Sequence, residues 1–157
     1  MDDEHADLDL IIRNLTLDDL ERLVKIDQQL TGRTRHAWYE GKLKRALQES
    51  DVRISLGAER DGLLVGAMLG SVHYGEFGLP EPLAILDTVL VDREFSHRGV
   101  ATTIFEQLAK NLRALRIERI RTEVAWDNHE LNRFFGRMGF RPVPRLVLEA
   151  DLTGPSA

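Results

Sequence analysis

Residues Ile85 to Leu112 read ILDTVLV, then DREFSHRG, then VATTIFEQLAKNL. The first piece has the apolar density of a buried strand, with one carboxylate, Asp87, inside it. The middle is a tight turn ending in Arg98 and Gly99. The third is an amphipathic helix, expected over Ala101–Leu112, with Ile104, Phe105, Leu108 and Leu112 on one side. This order builds an anion site. The first turn of a helix carries backbone N–H groups without an intrahelical partner, and the helix dipole adds partial positive charge there. Gly99 lacks a Cβ, so an anion can approach the backbone, and Arg98 adds a fixed cation beside it.

Working outward, Ile120–Trp126 reads as a further strand. Strand, helix, strand implies a crossover and parallel pairing. Upstream, Val52–Glu59 and Leu63–His73 are strands split by Arg60-Asp61-Gly62, a hairpin turn, so antiparallel pairing is expected there. Leu8–Arg13 is a first strand. Thr16 with Asp18 and Asp19 is a helix start, followed by helical spacing up to Gly32. Trp38–Leu47 is a second helix. Glu76–Pro82, with two prolines and a glycine, is a loop. Asn128–Met138 is a helix stopped at Gly139, and Phe140–Ala150 is expected to close the fold as a strand. The order β-α-α-β-β-β-α-β-α-β predicts an α/β fold in which a mixed central sheet is flanked by helices. Residues 1–7 are expected to be a flexible amino-terminal tail, 8–152 a single domain and 153–157 a carboxy-terminal tail.

Composition narrows the function classes. The chain has 157 residues, enough for one domain with a full core. There is no cysteine, which removes disulfides, thiol nucleophiles and cysteine zinc sites. No histidine pair has ligand spacing, so no metal is expected. The apolar run Gly62–Val72 is too short for a membrane span, and MDDEHADLD lacks the pattern of a signal peptide. A net charge of −5 argues mildly against nucleic acid as a partner and mildly for cationic substrates. A cytoplasmic location without membrane or nucleic-acid partners is the expectation. The last strands are open to homodimer formation.

A second motif is Val124–Phe140, VAWDNHELNRFFGRMGF. Asp127 and Glu130 have capping-box spacing, with Asn128 as the alternative cap. Leu131, Phe134, Phe135 and Met138 lie on one face. Ser96-His97-Arg98-Gly99-Val100-Ala101 resembles the pyrophosphate signature of the GNAT superfamily of acyl-CoA N-acyltransferases (Gln or Arg, two residues, Gly, one residue, Gly or Ala). Ser96 departs from the usual Gln or Arg. Asn128, Phe134, Gly139 and Phe140 match that superfamily's carboxy-terminal motif, and the predicted element order is that of its fold. The resemblance implies acetyl-CoA as co-substrate and an amine acceptor. It implies that the backbone of Val89, Leu90 and Val91 pairs with the pantetheine arm where two parallel strands splay. It also implies that His97, Arg98, Gly99, Val100, Ala101 and Thr102 form the pyrophosphate turn, and that Asn128 contacts pantetheine. His97 itself is read as a solvated loop residue. Phe135 stands where the family usually has the tyrosine that protonates the departing thiolate, and phenylalanine cannot donate a proton.

Acyl transfer to an amine needs a neutral nitrogen, hence a proton acceptor. Glu123 is the first candidate. Alternation along Thr-Glu-Val-Ala-Trp puts it on one face with Ala125 and Asp127, and it resembles the glutamate of the ribosomal-protein alanine N-acetyltransferase branch. The competing reading pairs it with Arg119 or Arg121, or leaves it simply solvated. Asp87 is the second candidate, at a position where polyamine-acetylating relatives carry an acid; otherwise it orients cationic groups. Tyr39, Tyr74 and His73 are candidates for the missing proton donor. The acceptor is expected between Thr31–Ser50 and Tyr74–Pro82. There Arg33, Arg35 and His36 favour an anion, while Glu76, Glu81 and Asp87 favour a cation. Two functions stay open: direct acyl transfer in a ternary complex, and an acyl-CoA sensor that binds without turnover. Nucleotide folds of other kinds lack their motifs here, since neither G-x-x-x-x-G-K-[S/T] nor G-x-G-x-x-G occurs.

Overall fold

The computed structural model describes residues 9–48 and 54–154. The predicted tail 1–7, Leu8, Ser50, Val52, Arg53 and residues 155–157 lie outside them. Compactness divides the chain into two units, Met1–Glu123 and Val124–Ala157.

The first unit holds a five-stranded sheet in the order β1-β2-β3-β4-β5. β1 spans Ile11–Asn14, β2 Leu56–Arg60, β3 Leu63–His73, β4 Leu83–Val91 and β5 Ile120–Thr122. The β1–β2, β2–β3 and β3–β4 pairs are antiparallel and β4–β5 is parallel, the mixed sheet expected. The turn at Asp61-Gly62 makes the β2–β3 hairpin, with both residues left-handed at φ 51° and 80°. α1 (Leu20–Thr31), α2 (His36–Gln48) and α3 (Val100–Ala114) complete the unit. α2 begins at His36, before the apolar pattern does, and His36 bonds Glu21 of α1 at 2.8 Å.

The helices cover both faces of the sheet. Leu23, Val24 and Ile26 of α1 with Tyr39 and Leu43 of α2 cluster on Ala67 and Leu69 of β3. Gly66 faces the opposite way by strand alternation. A Cβ there would come within 2.6 Å of Val100 Cγ1, so the glycine lets α3 seat on the strand. Leu86 and Leu90 of β4 are fully buried, while Ile85, Val89 and Val91 are only half-buried. The strand is thus wetter on one face than its composition suggests.

α1 and α2 are joined through buried charge. Asp27, 1% exposed, accepts from Arg35 Nε at 2.9 Å and Nη2 at 2.6 Å and from the Tyr39 hydroxyl at 2.9 Å. Asp19 receives a similar fork from Arg13 at 2.9 and 2.8 Å and the Thr16 N–H at 2.8 Å. The Thr16 signal therefore caps a short 3-10 turn, Leu17–Asp19, and α1 comes after it.

β1 and β2 begin later than expected, at Ile11 and Leu56, and two further predicted strands differ more. The strand read as Ile120–Trp126 stops at Thr122. The Thr122 hydroxyl donates to the Leu86 carbonyl at 2.7 Å, occupying the acceptor at the end of the ladder. The closing strand expected over Phe140–Ala150 does not form. Pro142 and Pro144 remove ladder donors there, and Leu146 and Leu148 are 85% and 86% exposed. The second unit is built instead on α4, His129–Arg137. Its cap is Asn128, whose Oδ1 accepts from Leu131 N–H at 3.1 Å, and not Asp127. Among the described residues no helix is long and apolar enough to cross a membrane.

Burial pushes the Asp27 carboxyl up, but Arg35, Tyr39 and Thr31 outweigh it and hold the group below its ordinary value. Asp19 is likewise raised by burial and lowered further by Arg13 and Thr16. Both carboxylates therefore contribute stability that is complete above the unfolded value near pH ~3.9 and is lost as pH falls through the lower folded values. The urea midpoint should drop steeply below pH ~4. Asp27→Asn should cost about 2 kcal/mol at neutral pH and make the acid limb shallower.

Candidate functional site

The geometry of β4 sets the site. Against β3, Thr88 stands opposite Leu69 while Leu86 stands opposite Gly70, so Asp87 is the extra residue of a β-bulge. A bulge re-aims its side chain and sharpens the local twist. Gly70 is required at this crossing, since a Cβ would lie 2.5 Å from the Ile85 carbonyl oxygen. On its other side β4 pairs with β5 only from Ala84–Ile120 to Leu86–Thr122. β4 then runs on to Val91 without that neighbour. Asp92 N–H donates to the Val65 carbonyl of β3 at 2.8 Å. Main-chain groups alternate along a strand, so Thr88 and Leu90 also turn to β3. Val89 and Val91 turn theirs to the side that β5 has left.

The chain next enters a fixed turn. Asp92 is 2% exposed and takes an ion pair from Arg22 of α1. Arg22 Nε also donates to the Leu64 carbonyl at 2.8 Å. Asp92 Oδ1 accepts from Glu94 N–H at 3.0 Å, and Gln29 Oε1 accepts from Arg93 N–H at 3.3 Å. The Ser96 hydroxyl donates to the Arg93 carbonyl at 2.9 Å. His97 and Gly99 are both left-handed, at φ 60° and 80°. Gly99 caps α3 and brings no side chain to the first-turn N–H groups of Val100, Ala101 and Thr102, which have no carbonyl behind them in the helix. The Thr103 N–H and hydroxyl both close on the Gly99 carbonyl, at 3.0 and 2.8 Å. Arg98 rests on the Phe95 ring at 6.0 Å, a ring that Arg60 also approaches at 5.7 Å. The arrangement offers a free strand edge, a glycine-opened helix N-terminus and a cation in one run of chain.

The two candidate carboxylates flank the parting of the strands. Asp87 follows Leu86 and Glu123 follows Thr122, the last β4–β5 pair. Glu123 is exposed, with no ion pair or hydrogen bond among the described residues; Arg119 pairs with Glu81 at 3.3 Å instead. Its placement by alternation with Ala125 and Asp127 fails, because the strand has ended. Asp87 Oδ1 lies 2.7 Å from Lys42 Nζ of α2 and accepts from the Thr88 hydroxyl at 2.7 Å. Sequence reasoning missed both Lys42 and the Arg22–Asp92 anchor. Lys42 could have been found from its position one helical turn after Trp38, a surface aromatic on the same face.

Of the candidate proton donors, Tyr39 is committed elsewhere. It is 1% exposed, its hydroxyl donates to Asp27, and burial together with that carboxylate pushes its pKa well up. His73 Nε2 bonds the Ser71 hydroxyl at 2.9 Å, and Tyr74 is 64% exposed. Asn128 and Phe135 belong to the second unit. Asn128 uses Oδ1 as a cap, which leaves its amide NH2 as donor. Phe135 is buried against Phe134 and Phe140, at ring-centroid distances of 5.3 and 4.8 Å.

The sequence profile of the acetyltransferase (GNAT) family matches residues 17–140. The chain belongs to that family. No curated protein matches it at a significant level. Among solved structures it is similar to the aminoglycoside N-acetyltransferase AAC(6')-Iy in complex with CoA, with TM-score 0.76 and 19% identity over 91% of this chain and 95% of that one. It is also similar to the ribosomal-protein-alanine N-acetyltransferase of Brucella melitensis biovar Abortus 2308, with TM-score 0.72 and 16% identity over 91% and 99%. The PaiA N-acetyltransferase of Thermoplasma acidophilum, in complex with coenzyme A, has TM-score 0.69 and 18% identity over 85% and 91%. The fold of this GNAT protein is therefore that of acetyltransferases crystallised with CoA.

The turn between β4 and α3 hangs on the Asp92–Arg22 pair. Asp92→Ala leaves the Arg22 guanidinium without its buried partner and should cost about 3 kcal/mol in urea unfolding. Amide exchange should accelerate first at Arg93–Gly99, ahead of α3. Equal acceleration throughout the first unit would show that the pair supports the core and not the turn.

Proposed function

We propose that this protein is an acetyl-CoA-dependent N-acetyltransferase that acetylates a primary amine by direct attack in a ternary complex. The observation that carries the reading is the parting of β4 from β5 after Leu86–Thr122, directly upstream of the left-handed Gly99 at the start of α3. An extended amide-bearing arm would lie along Val89, Leu90 and Val91 and pair with the main chain of Val89 and Val91, which faces away from β3. A pyrophosphate would accept from the first-turn N–H groups of Val100, Ala101 and Thr102, with Arg98 as counter-charge and His97 and Gly99 shaping the turn. Asn128 would donate its free amide to the pantetheine arm.

Bound acetyl-CoA supplies a thioester carbonyl. The amine nitrogen forms the new C–N bond, the C–S bond breaks, and CoA leaves as the thiolate. Glu123, exposed and unpaired among the described residues, takes the ammonium proton directly or through water. Asp87, already countered by Lys42, orients the acceptor. Orientation and main-chain polarisation of the carbonyl supply most of the rate. A thiolate is a tolerable leaving group near neutral pH, so the loss of a tyrosine at Phe135 lowers the rate without abolishing it.

One observation favours a second reading, an acyl-CoA sensor. Phe135 is buried among aromatic rings, and Tyr39, the phenol of α2, is locked on Asp27. Free CoA release from acetyl-CoA, measured against a panel of amines and N-terminal peptides, separates the two. Acceptor-dependent release should fall about 10²–10³-fold in Glu123→Gln. Release unchanged by that substitution moves proton removal to water or Asp87. CoA binding without release for any acceptor supports the sensor.

A further inference from the structure

We propose that Asp87 and the Trp38 indole form a binding site for an alkylammonium group, and that Lys42 is its tethered occupant, displaced when a cationic acceptor binds. The role of this site in acceptor selection rests on the acetyltransferase reading; the binding itself does not. Lys42 Nζ lies 2.7 Å from Asp87 Oδ1 and 4.9 Å from the centroid of the Trp38 ring. A carboxylate on one side and an aromatic face on the other is how a protein holds an alkylammonium ion. The lysine side chain is itself a four-carbon alkylammonium, so the chain displays its own ligand.

The exposures fit an occupant that can leave. The Lys42 side chain is 16% exposed, while that of Asp87 is 43% exposed, so a soluble cation can reach the carboxylate from the open side. The other cation on Trp38 cannot move as readily. Arg35, 4.6 Å from the ring, is forked onto Asp27 by two hydrogen bonds. Among the described residues Lys42 has a single ion pair, on a flexible stem. The bulge at Asp87 aims its carboxylate out of the β3–β4 register, one residue beyond the last β4–β5 pair. An ammonium held there lies at the mouth of the strand parting. Because a protonated nitrogen cannot attack a thioester, the class of acceptor is an amine that carries a second, cationic amine: one nitrogen anchors at Asp87 and the other reacts.

The probe is n-butylammonium, which has the carbon count and charge of the lysine side chain. It is titrated, without acetyl-CoA and at constant ionic strength against sodium, while the Trp38 indole resonance is followed. Lys42→Met and Lys42→Gln should bind it about tenfold more tightly than the natural protein, as expected when a site is closed roughly nine-tenths of the time by its own occupant. Adding Asp87→Asn to Lys42→Met should remove the gain. Equal affinity in the natural protein and both Lys42 variants, or a gain that survives Asp87→Asn, overturns the proposal. In parallel, 1,4-diaminobutane is offered as acceptor with acetyl-CoA, and Lys42→Met should lower its KM. A binding gain without turnover of any amine keeps the alkylammonium site and removes the acetyltransferase reading. Turnover without a binding gain keeps that reading and removes the site.

Discussion

The bond from the Thr122 hydroxyl to the Leu86 carbonyl ends the parallel pairing of β4 with β5, and the rest of the site depends on where it falls. Were the ladder to continue, the main chain of Val89 and Val91 would be taken up by β5. Because it stops, a stretch of strand inside a packed sheet keeps hydrogen-bonding capacity on one side. Such capacity is costly to leave unmatched in a dry interior. Val89 and Val91, half-buried, keep that capacity on the side that β5 has left.

An open edge is useful only if the chain beyond it is rigid. The turn after β4 is held by side chains from α1, Arg22 on Asp92 and Gln29 on Arg93 N–H, not by local sequence alone. That coupling places the start of α3 by reference to the same helix whose apolar face packs on β3. Two left-handed residues, His97 and Gly99, then turn the chain into the helix. Glycine at the cap meets no Cβ penalty, whereas His97 sits in a region that costs an L-residue roughly 1–2 kcal/mol, tolerated because the anchored ends determine the turn.

Most of this was legible in the sequence where one local signal sufficed. The glycine turn, the amphipathic period of α3, the β2–β3 hairpin and the helix stop at Gly139 depend on neighbours within a few residues. The features that were not legible depend on partners far along the chain. The shortened β5 is set by a threonine hydroxyl reaching Leu86, which no alternation pattern reveals. The missing closing strand has β-prone residues at Leu146–Leu148, yet a strand requires a ladder as well as a propensity, and Pro142 and Pro144 stand at its entrance. Asp87 was visible as an odd carboxylate in an apolar strand. Its bulge and its lysine were not, because both are tertiary facts.

The ion pairs also bear on a question that the sequence left balanced. Arg33, Arg35 and His36 suggested an anionic acceptor, and Glu76, Glu81 and Asp87 a cationic one. In the fold Arg35 is consumed by Asp27, His36 faces Glu21, and Glu81 faces Arg119. The pairs differ in the cost of breaking them. Separating Asp27 from Arg35 strands a buried carboxylate and unties α1 from α2, whereas separating Asp87 from Lys42 returns a flexible ammonium to water and leaves a carboxylate already 43% exposed. Charge that can be exchanged cheaply is the kind that a ligand can use. Beside the strand parting that charge is negative, it sits on the bulge, and the cation now on it is the chain's own.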